Sequence, residues 1–351
     1  MCNRLHMGMA EVPNMSTIRD VGKMAGVSIA TVSRVINKSG YVKQETEKTI
    51  LQAMQALNYE PDPIARSLAG KSTRTIALVV PDILNPFFPE IAKAVEKEAS
   101  RLGYTVILCN TDNSLDKEER YFQVFEQKRI DGVILASYTL GAVQIKKWQK
   151  KIPIVVIDNR FPQHPTIVSI ISHNRTGAHL VVNHLLEQGC RKIAHICGPM
   201  GVYSAKERYM GYEDICKDQD WFSPHLIVQG DFQIKESYQA TIGLFKRHPD
   251  VDGIFAGNDI MAVGALKALV AMGMSVPDEV KLVGFDGISI PLVVPELTTV
   301  AQPIGEMGAL AMHHLVELIH KRPLASHVQV LDVRLIIKES STTRASKEFV
   351  T

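Results

Sequence analysis

The chain has 351 residues, 46% of them hydrophobic, which is too long for one ordinary domain and enough to bury large cores. Its 39 basic side chains against 37 acidic leave a net charge of only +2, and no apolar run approaches the ~20 residues that span a bilayer. Five cysteines (Cys2, Cys109, Cys190, Cys197, Cys216) show no CxxC or metal-like spacing, and no apolar export segment opens the chain, so free thiols in a reducing cytoplasm are expected.

Residues 1–15 read as a disordered extension, with Met15 an alternative start. Thr17 then caps a helix, with Asp20 three residues on as an acidic capping-box partner. Ile18, Val21 and Ala25 share one face of that helix, and Gly26 ends it in the left-handed position that glycine favours. Ser28 caps a second helix whose Val32, Val35 and Ile36 face inward. A third carries Ile50, Ala53, Met54 and Leu57 at helical spacing. Two helices joined by a tight glycine-containing turn form a helix-turn-helix, whose second helix lies in the DNA major groove.

The exposed residues suit that reading. Arg34 has the donor geometry for guanine O6 and N7, while Ile29 and Ala30 offer apolar contact, for instance to a thymine methyl. Between Ser16 and Arg74 nine basic residues face five acidic ones, a local excess that favours phosphate contacts. The alternative is a small helical domain with a solvated basic face.

After Arg74 short apolar β-runs alternate with amphipathic helices: Thr75–Val80, Thr105–Asn110, Gly132–Ala136 and Ile154–Ile157, then Ile193–Cys197, Leu226–Val228, Gly253–Ala256 and Val280–Phe285. This order predicts parallel sheets covered on both faces. Two such series, split near His173, predict two doubly wound lobes with a cleft between them. A helix over Ile304–His320 is expected to return to the first lobe before the last strands near Val328–Ile337. Ligands of open parallel sheets sit beyond the strands' carboxyl ends. Asn85, Phe87 and Phe88 stand there, as do Asp158, Asn159 and Arg160, and further on Arg208, Phe232, Asn258, Asp259, Asp286 and Gln302. Aromatic rings cover the apolar faces of a sugar, and planar polar groups bind its hydroxyls. Singly, residues such as Asn258 and Asp286 read equally well as caps or turn formers; jointly they point to a small polar ligand.

The strings Thr31-Val-Ser-Arg-Val-Ile-Asn37, Asn58-Tyr59-Glu60-Pro61 and Ala65-Arg66-Ser67-Leu68 resemble the signature of the LacI/GalR family of bacterial transcription regulators, and the resemblance runs on to about Arg344. It implies a small all-α helix-turn-helix domain plus an α/β core of two doubly wound parallel-sheet lobes, similar to periplasmic sugar-binding proteins. The implied layout is 16–60 for DNA binding, 61–73 for a hinge, 74–345 for the sugar-binding and dimerisation core, and 346–351 for a tail. Within the core, 74–173 and 303–325 form one lobe and 174–302 and 326–345 the other. The implied DNA contacts are Thr17, Ser28, Ile29, Ala30, Thr31, Ser33, Arg34, Asn37 and Tyr59. In the hinge they are Ala65, Arg66 and Leu68, the leucine wedging into the minor groove, an insertion that kinks DNA by ~20–90°; the alternative for Leu68 is a linker residue buried against the core.

Asn85-Pro-Phe-Phe88, Gly257-Asn-Asp259, Gly284-Phe-Asp-Gly287 and Ala301-Gln-Pro303 resemble the ribose-type members. By that resemblance Phe87, Phe88 and Phe232 sandwich a sugar, and Asn85, Asp158, Arg208, Asn258, Asp286 and Gln302 bind its hydroxyls, with Arg160 beside them. The chain departs from that pattern at Asp158-Asn159-Arg160, where Asp-Arg is usual, and at His173, where aspartate is usual. These changes leave another pentose, a hexose or a disaccharide such as sucrose open, with a catabolite-type regulator as a further variant.

The expected partners are a pseudo-palindromic operator, a small sugar effector and a second copy of the chain, with no membrane. Related regulators use a phosphocarrier protein as corepressor, which no residue here decides. The adjacent His313 and His314 cannot chelate one metal, and neither a phosphate loop nor a matched acid and base is apparent, so no metal, cofactor or catalysis is expected. A sugar-binding transport component would share the core but has no use for Thr17–Leu68.

Overall fold

A computed structural model describes residues 16–37, 39–59, 72–139, 141–161, 167–291, 293–324 and 326–342. The expected extension, hinge helix and tail, and with them Ala65, Arg66 and Leu68, lie outside these residues. The chain divides into two compact units, 1–73 and 74–351.

The first unit is three helices, α1 Ile18–Ala25, α2 Ile29–Asn37 and α3 Gln44–Ala56. The Asp20 carboxylate accepts from the Thr17 amide at 2.9 Å and from its hydroxyl at 2.7 Å, fixing where α1 begins. Gly26 ends the helix at φ 64°, and the Val27 amide returns to the Gly22 carbonyl at 3.0 Å. Ser28 Oγ accepts from the Thr31 amide at 3.2 Å and so starts α2. Val21, Val32, Val35, Ile50 and Ala53 form the core, each contributed by the apolar stripe of its helix.

The second unit holds two six-stranded sheets. The first lobe runs β1 Thr75–Val80, α4 Phe87–Arg101, β2 Thr105–Asn110, α5 Leu115–Lys128, β3 Gly132–Leu135, α6 Ala142–Gln149, β4 Ile154–Ile157 and β5 Val168–Ser172. The second continues with α7 Asn174–Glu187, β6 Ile193–Cys197, α8 Tyr203–Cys216, β7 Ile227–Gln229, α9 Ile234–Arg247, β8 Gly253–Ala256, α10 Asp259–Ala271, β9 Lys281–Asp286 and β10 Thr298–Ala301. The chain then adds α11 Ile304–Ile319, β11 Val328–Leu331 and β12 Arg334–Ile336. The first sheet has the order β11-β5-β4-β3-β1-β2, all parallel. The second has the order β12-β10-β9-β8-β6-β7, parallel except for β12 on β10.

Both faces of the central strands are covered, which is why those strands read as continuous apolar runs, whereas the edge strand β2 leaves Ile107 and Leu108 exposed. In β1, Ile76, Leu78 and Val80 pack under α4 and α11, while Ala77 and Val79 meet Phe122, Phe125 and Trp148 on the opposite face. The return of the chain through α11 is explained by its apolar stripe: Met307, Ala311 and Leu315 fill the first lobe's core. The expected lobe boundary needs correction at one place. Residues 326–345 do not all enter the second lobe, because Val328–Leu331 pairs with β5 in the first sheet and only Arg334–Ile336 pairs with β10. Strand β5 is absent from the sequence-predicted series, and β7 begins at Ile227 because Pro224–Leu226 forms a 3-10 turn.

Candidate functional site

The outer surface of the three-helix unit is the first candidate site. On α2, Ile29 is 44% exposed, and Ala30 and Arg34, one turn apart, are also exposed. Thr17 and Ser28 are exposed, whereas Thr31 and Ser33 are half-buried. Ser28 and Thr31 also join their hydroxyls at 2.9 Å, so both serve the cap of α2. Tyr59 is partly buried against the helical core, which makes it a packing residue of this unit as well as an expected contact. The side chain of Asn37 lies outside the described set. A short helix presenting an arginine and small apolar groups beside basic neighbours can enter a major groove and read base edges.

The second candidate site lies between the lobes of the core, where the carboxyl ends of both sheets converge. A cavity of about 240 Å³ is lined from the first lobe by Asp82, Asn85, Phe88, Asn113, Tyr138 and Thr139, and from the second by residues that include Val202, Asp231 and Phe232. Aromatic rings cross the gap: Phe88 and Tyr138 lie 6.1 Å apart between centroids, and Tyr138 and Phe232 lie 5.7 Å apart. Asn85 Oδ1 accepts from the Phe87 amide at 3.2 Å, turning the chain from β1 into α4. That turn sends Phe88 to the cavity and Phe87 into the first lobe's core, so of the three expected stacking rings only Phe88 and Phe232 line the space.

Beneath the rings is a buried polar cluster. Arg208 is only 2% exposed. Its Nε donates to Asn174 Oδ1 at 2.8 Å, its Nη1 donates to the Gly257 carbonyl at 2.6 Å, and it lies 3.2 Å from Asp286 Oδ1. Its guanidinium also covers the Phe285 ring at 3.8 Å from the centroid. Gln302 Nε2 donates to the same Asp286 oxygen at 2.8 Å. Burial pushes the Asp286 carboxyl up to about 6 against the opposing pull of Arg208, and burial likewise raises Asp158. The Tyr138 hydroxyl lies among these charges and is raised by burial first, then by Asp158 and Asp286.

Two other expected residues have structural duties. Asn258 Oδ1 caps α10 by accepting from the Met261 amide at 2.9 Å. Asp259 accepts from Thr299 Oγ1 at 2.6 Å and from the Ile288 amide at 2.9 Å, bracing the turn after Asp286. Arg160 is exposed and bonds Tyr203 rather than joining the cluster around Arg208.

Within the cluster two acceptors, Asp158 Oδ1 and Gln302 Oε1, are buried with no hydrogen-bond partner. Buried acceptors left unmatched are costly, so an arrangement of this kind suits a ligand that carries hydroxyl donors. The backbone on and beside the cleft is strained at several residues. Asp112, Asn113, Asp158, Asp231, Phe232 and Asp286 all take positive φ, between 51° and 114°. The pattern of strand ends misses Tyr138, although it stands just past β3, and it misses Asn174 and Ser204, which come from the first turns of α7 and α8. Elsewhere, Cys109, Cys190, Cys197 and Cys216 are free and buried. Among the described residues no three His, Cys, Asp or Glu side chains are grouped to hold a metal, and no helix is long and apolar enough to cross a membrane.

Residues 17–62 match the family model described as bacterial regulatory proteins, lacI family, and residues 73–339 match periplasmic binding proteins and sugar binding domain of LacI family. The chain belongs to the LacI family. It is therefore a DNA-binding transcriptional repressor whose core is of the family's sugar-binding kind. The ribose operon repressor of Halalkalibacterium halodurans is 46% identical over 93% of this chain and 97% of that protein. The lac repressor dimer bound to operator superposes with a TM-score of 0.82 at 26% identity, covering 94% of this chain and all of that one. A LacI family regulator from Enterococcus faecalis with bound ribose gives a TM-score of 0.68 at 27% identity, covering 76% of this chain and 98% of that one.

Proposed function

We propose that this LacI-family chain represses a sugar-utilisation operon and that a ribose-like pentose in the interlobe cleft controls its affinity for the operator. The observation that carries this is the pair of unmatched buried acceptors, Asp158 Oδ1 and Gln302 Oε1, in the polar cluster beneath a cleft crossed by Phe88, Tyr138 and Phe232. Hydroxyl donors would complete the acceptors, and the rings would cover the apolar ring face. At about 240 Å³ the cavity lies below the ~300–1,000 Å³ usual for drug-sized ligands, which favours a monosaccharide over a disaccharide. Asp82 and Asp231 are the charged residues of its lining, and the arginine beneath, Arg208, is already engaged by Asn174, Gly257 and Asp286, which favours an uncharged sugar over a sugar phosphate. The ribose operon repressor and the ribose-bound regulator among the relatives support the pentose.

On DNA the working form is a homodimer on a pseudo-palindromic operator, since two-fold symmetry in the protein is mirrored in its half-sites. Arg34, Ile29 and Ala30 read bases, Ser28, Thr31, Ser33, Asn37 and Thr17 approach the backbone or the base edges, and the hinge of residues 61–73 inserts Leu68 into the minor groove. The sugar acts through its different affinity for two states of the core, in the cytoplasm and without chemical conversion. The test is a titration of operator binding with D-ribose and with D-ribose 5-phosphate, for the unaltered chain and for Asp286→Ala. The reading requires a response to the free sugar, none to the phosphate, and none from the variant; an unaltered response in Asp286→Ala would remove the cleft from the scheme.

A further inference from the structure

We propose that Glu118 is a positioning residue of the ligand cleft, holding Tyr138 against Phe232 from the buried flank of the first lobe. The proposal rests on the reading of the cleft as a sugar site. Glu118 lies on α5 with no exposed surface, and it belongs neither to the cavity wall nor to the cluster around Arg208. One carboxylate oxygen accepts from Ser137 Oγ and the other from Thr139 Oγ1, both at 2.7 Å. These hydroxyls belong to the two residues that flank Tyr138.

The same carboxylate gathers the ends of neighbouring strands. Thr111, just past β2, lies beside the Glu118 carboxylate, and its single hydroxyl proton is shared between that carboxylate and the Val80 carbonyl at the end of β1, 3.2 Å away. Past β4, the Asn159 side-chain amide donates to the Ser137 carbonyl at 3.1 Å. The Thr139 amide closes the loop on Ser137 Oγ at 3.2 Å. Four strand ends on the cleft side of the first lobe therefore converge on one loop, and that loop carries Tyr138.

Packing alone does not call for a carboxylate here. Phe122 and Phe125, one and two turns along the same helix, fill the core with hydrocarbon, whereas a buried acid must be fully hydrogen-bonded to be tolerated. A satisfied polar network specifies one arrangement of its members more sharply than apolar contact does. The member that benefits is Tyr138, whose ring contacts Phe88 of its own lobe and Phe232 of the other.

The test uses the full chain and a cycle of variants. Hydrogen exchange without sugar should show the amides of residues 137–139 opening faster in Glu118→Ala than in the unaltered protein. Calorimetry with D-ribose should show affinity falling about tenfold or more in Glu118→Ala, and Glu118→Gln, which keeps an acceptor and a donor in place, staying within about threefold. Because Glu118 acts through Tyr138, the double variant with Tyr138→Ala should lose no more than Tyr138→Ala alone. Operator affinity without sugar should not change. The proposal is overturned by wild-type exchange and sugar affinity in Glu118→Ala, by losses that multiply in the double variant, or by an equal fall in operator affinity. If the unaltered protein fails to bind D-ribose, the pentose reading falls, and the exchange measurement still decides the role of Glu118.

Discussion

Ser204, in the first turn of α8, donates its hydroxyl to Asp158 Oδ2 at 2.8 Å, and the bond runs from the second lobe to the first. Asp158 is buried, and its other oxygen is unpartnered. One side of this carboxylate therefore fastens the lobes together, while the other suits a hydroxyl donor. In the proposed scheme, contact with a ligand and closure of the cleft meet at a single side chain.

Ser204→Ala leaves a second buried oxygen of Asp158 without a donor, at a cost of about 1–3 kcal/mol. Urea unfolding of the core should show a loss of that size. Sugar affinity should weaken as well, because the closed arrangement loses a bond that the open one lacks. Unchanged calorimetric affinity would mean that the Ser204–Asp158 bond takes no part in closure.

Two buried groups make acid stability a test of the cluster. Burial raises Asp286 from 3.8 to about 6 and lowers His195 from 6.5 to about 4. Between pH 4 and 6 folded Asp286 keeps a proton that the unfolded side chain has released, so this carboxyl favours the fold increasingly as pH falls through that window. His195 acts in the opposite sense: from pH 6.5 downward the unfolded imidazole takes up a proton that the folded one refuses until about 4. Each effect is worth about 3 kcal/mol at full extent, so the two largely offset each other. Denaturant melts at pH 7 and near pH 4.5 should show Asp286→Asn losing more stability on acidification than the unaltered chain, and His195→Gln losing less. A common slope for all three would contradict the assignment.

Gly198, just past β6, has no side chain for a steric reason. A Cβ there would lie 2.4 Å from the Phe232 ring, although the glycine itself does not need a positive φ. Gly198→Ala should therefore displace the ring, with an overpacking cost of about 1–3 kcal/mol. Sugar binding should suffer more than stability. A variant that binds sugar normally would show that Phe232 does not have to stay where it is.

Arg34→Ala should relax discrimination at one base position in each operator half-site by about 1–3 kcal/mol, with little change at the other positions. Selection from a randomised operator library reads this directly. A uniform loss across all sequences would instead make Arg34 a phosphate contact.

How much of this was legible in the sequence depends on how local each cause is. The Thr17–Asp20 box, Gly26 and Ser28 act within a few residues, and both ends of α1 and the start of α2 follow from them. The central parallel strands β1, β3, β4, β6 and β8 were legible as apolar runs because both of their faces are buried. Strand β5 was not, since Ser169 and Ser172 interrupt Val168–Ser172 and make a buried strand look like a loop. The place of β11 depends on pairing with a strand about 160 residues earlier, which no local pattern reports. In the cleft, Asp158, Asp286 and Gln302 stand where the strand-end rule places them, while Asn174 and Ser204 look like ordinary helix starts. Nothing in the pair Phe87-Phe88 reveals which ring faces the cavity, because the axis of α4 decides it.

The six positive-φ residues around the cleft bear on how far this protein can be improved. Such conformations cost of order 1–3 kcal/mol each for residues with side chains. A screen for heat resistance alone would reward glycine at Asn113 or Asp231 only where relief of the left-handed backbone exceeds the freedom glycine adds to the unfolded chain, and would soften the rim as it did so. Variants recovered that way should be hardier receptors with blunter taste.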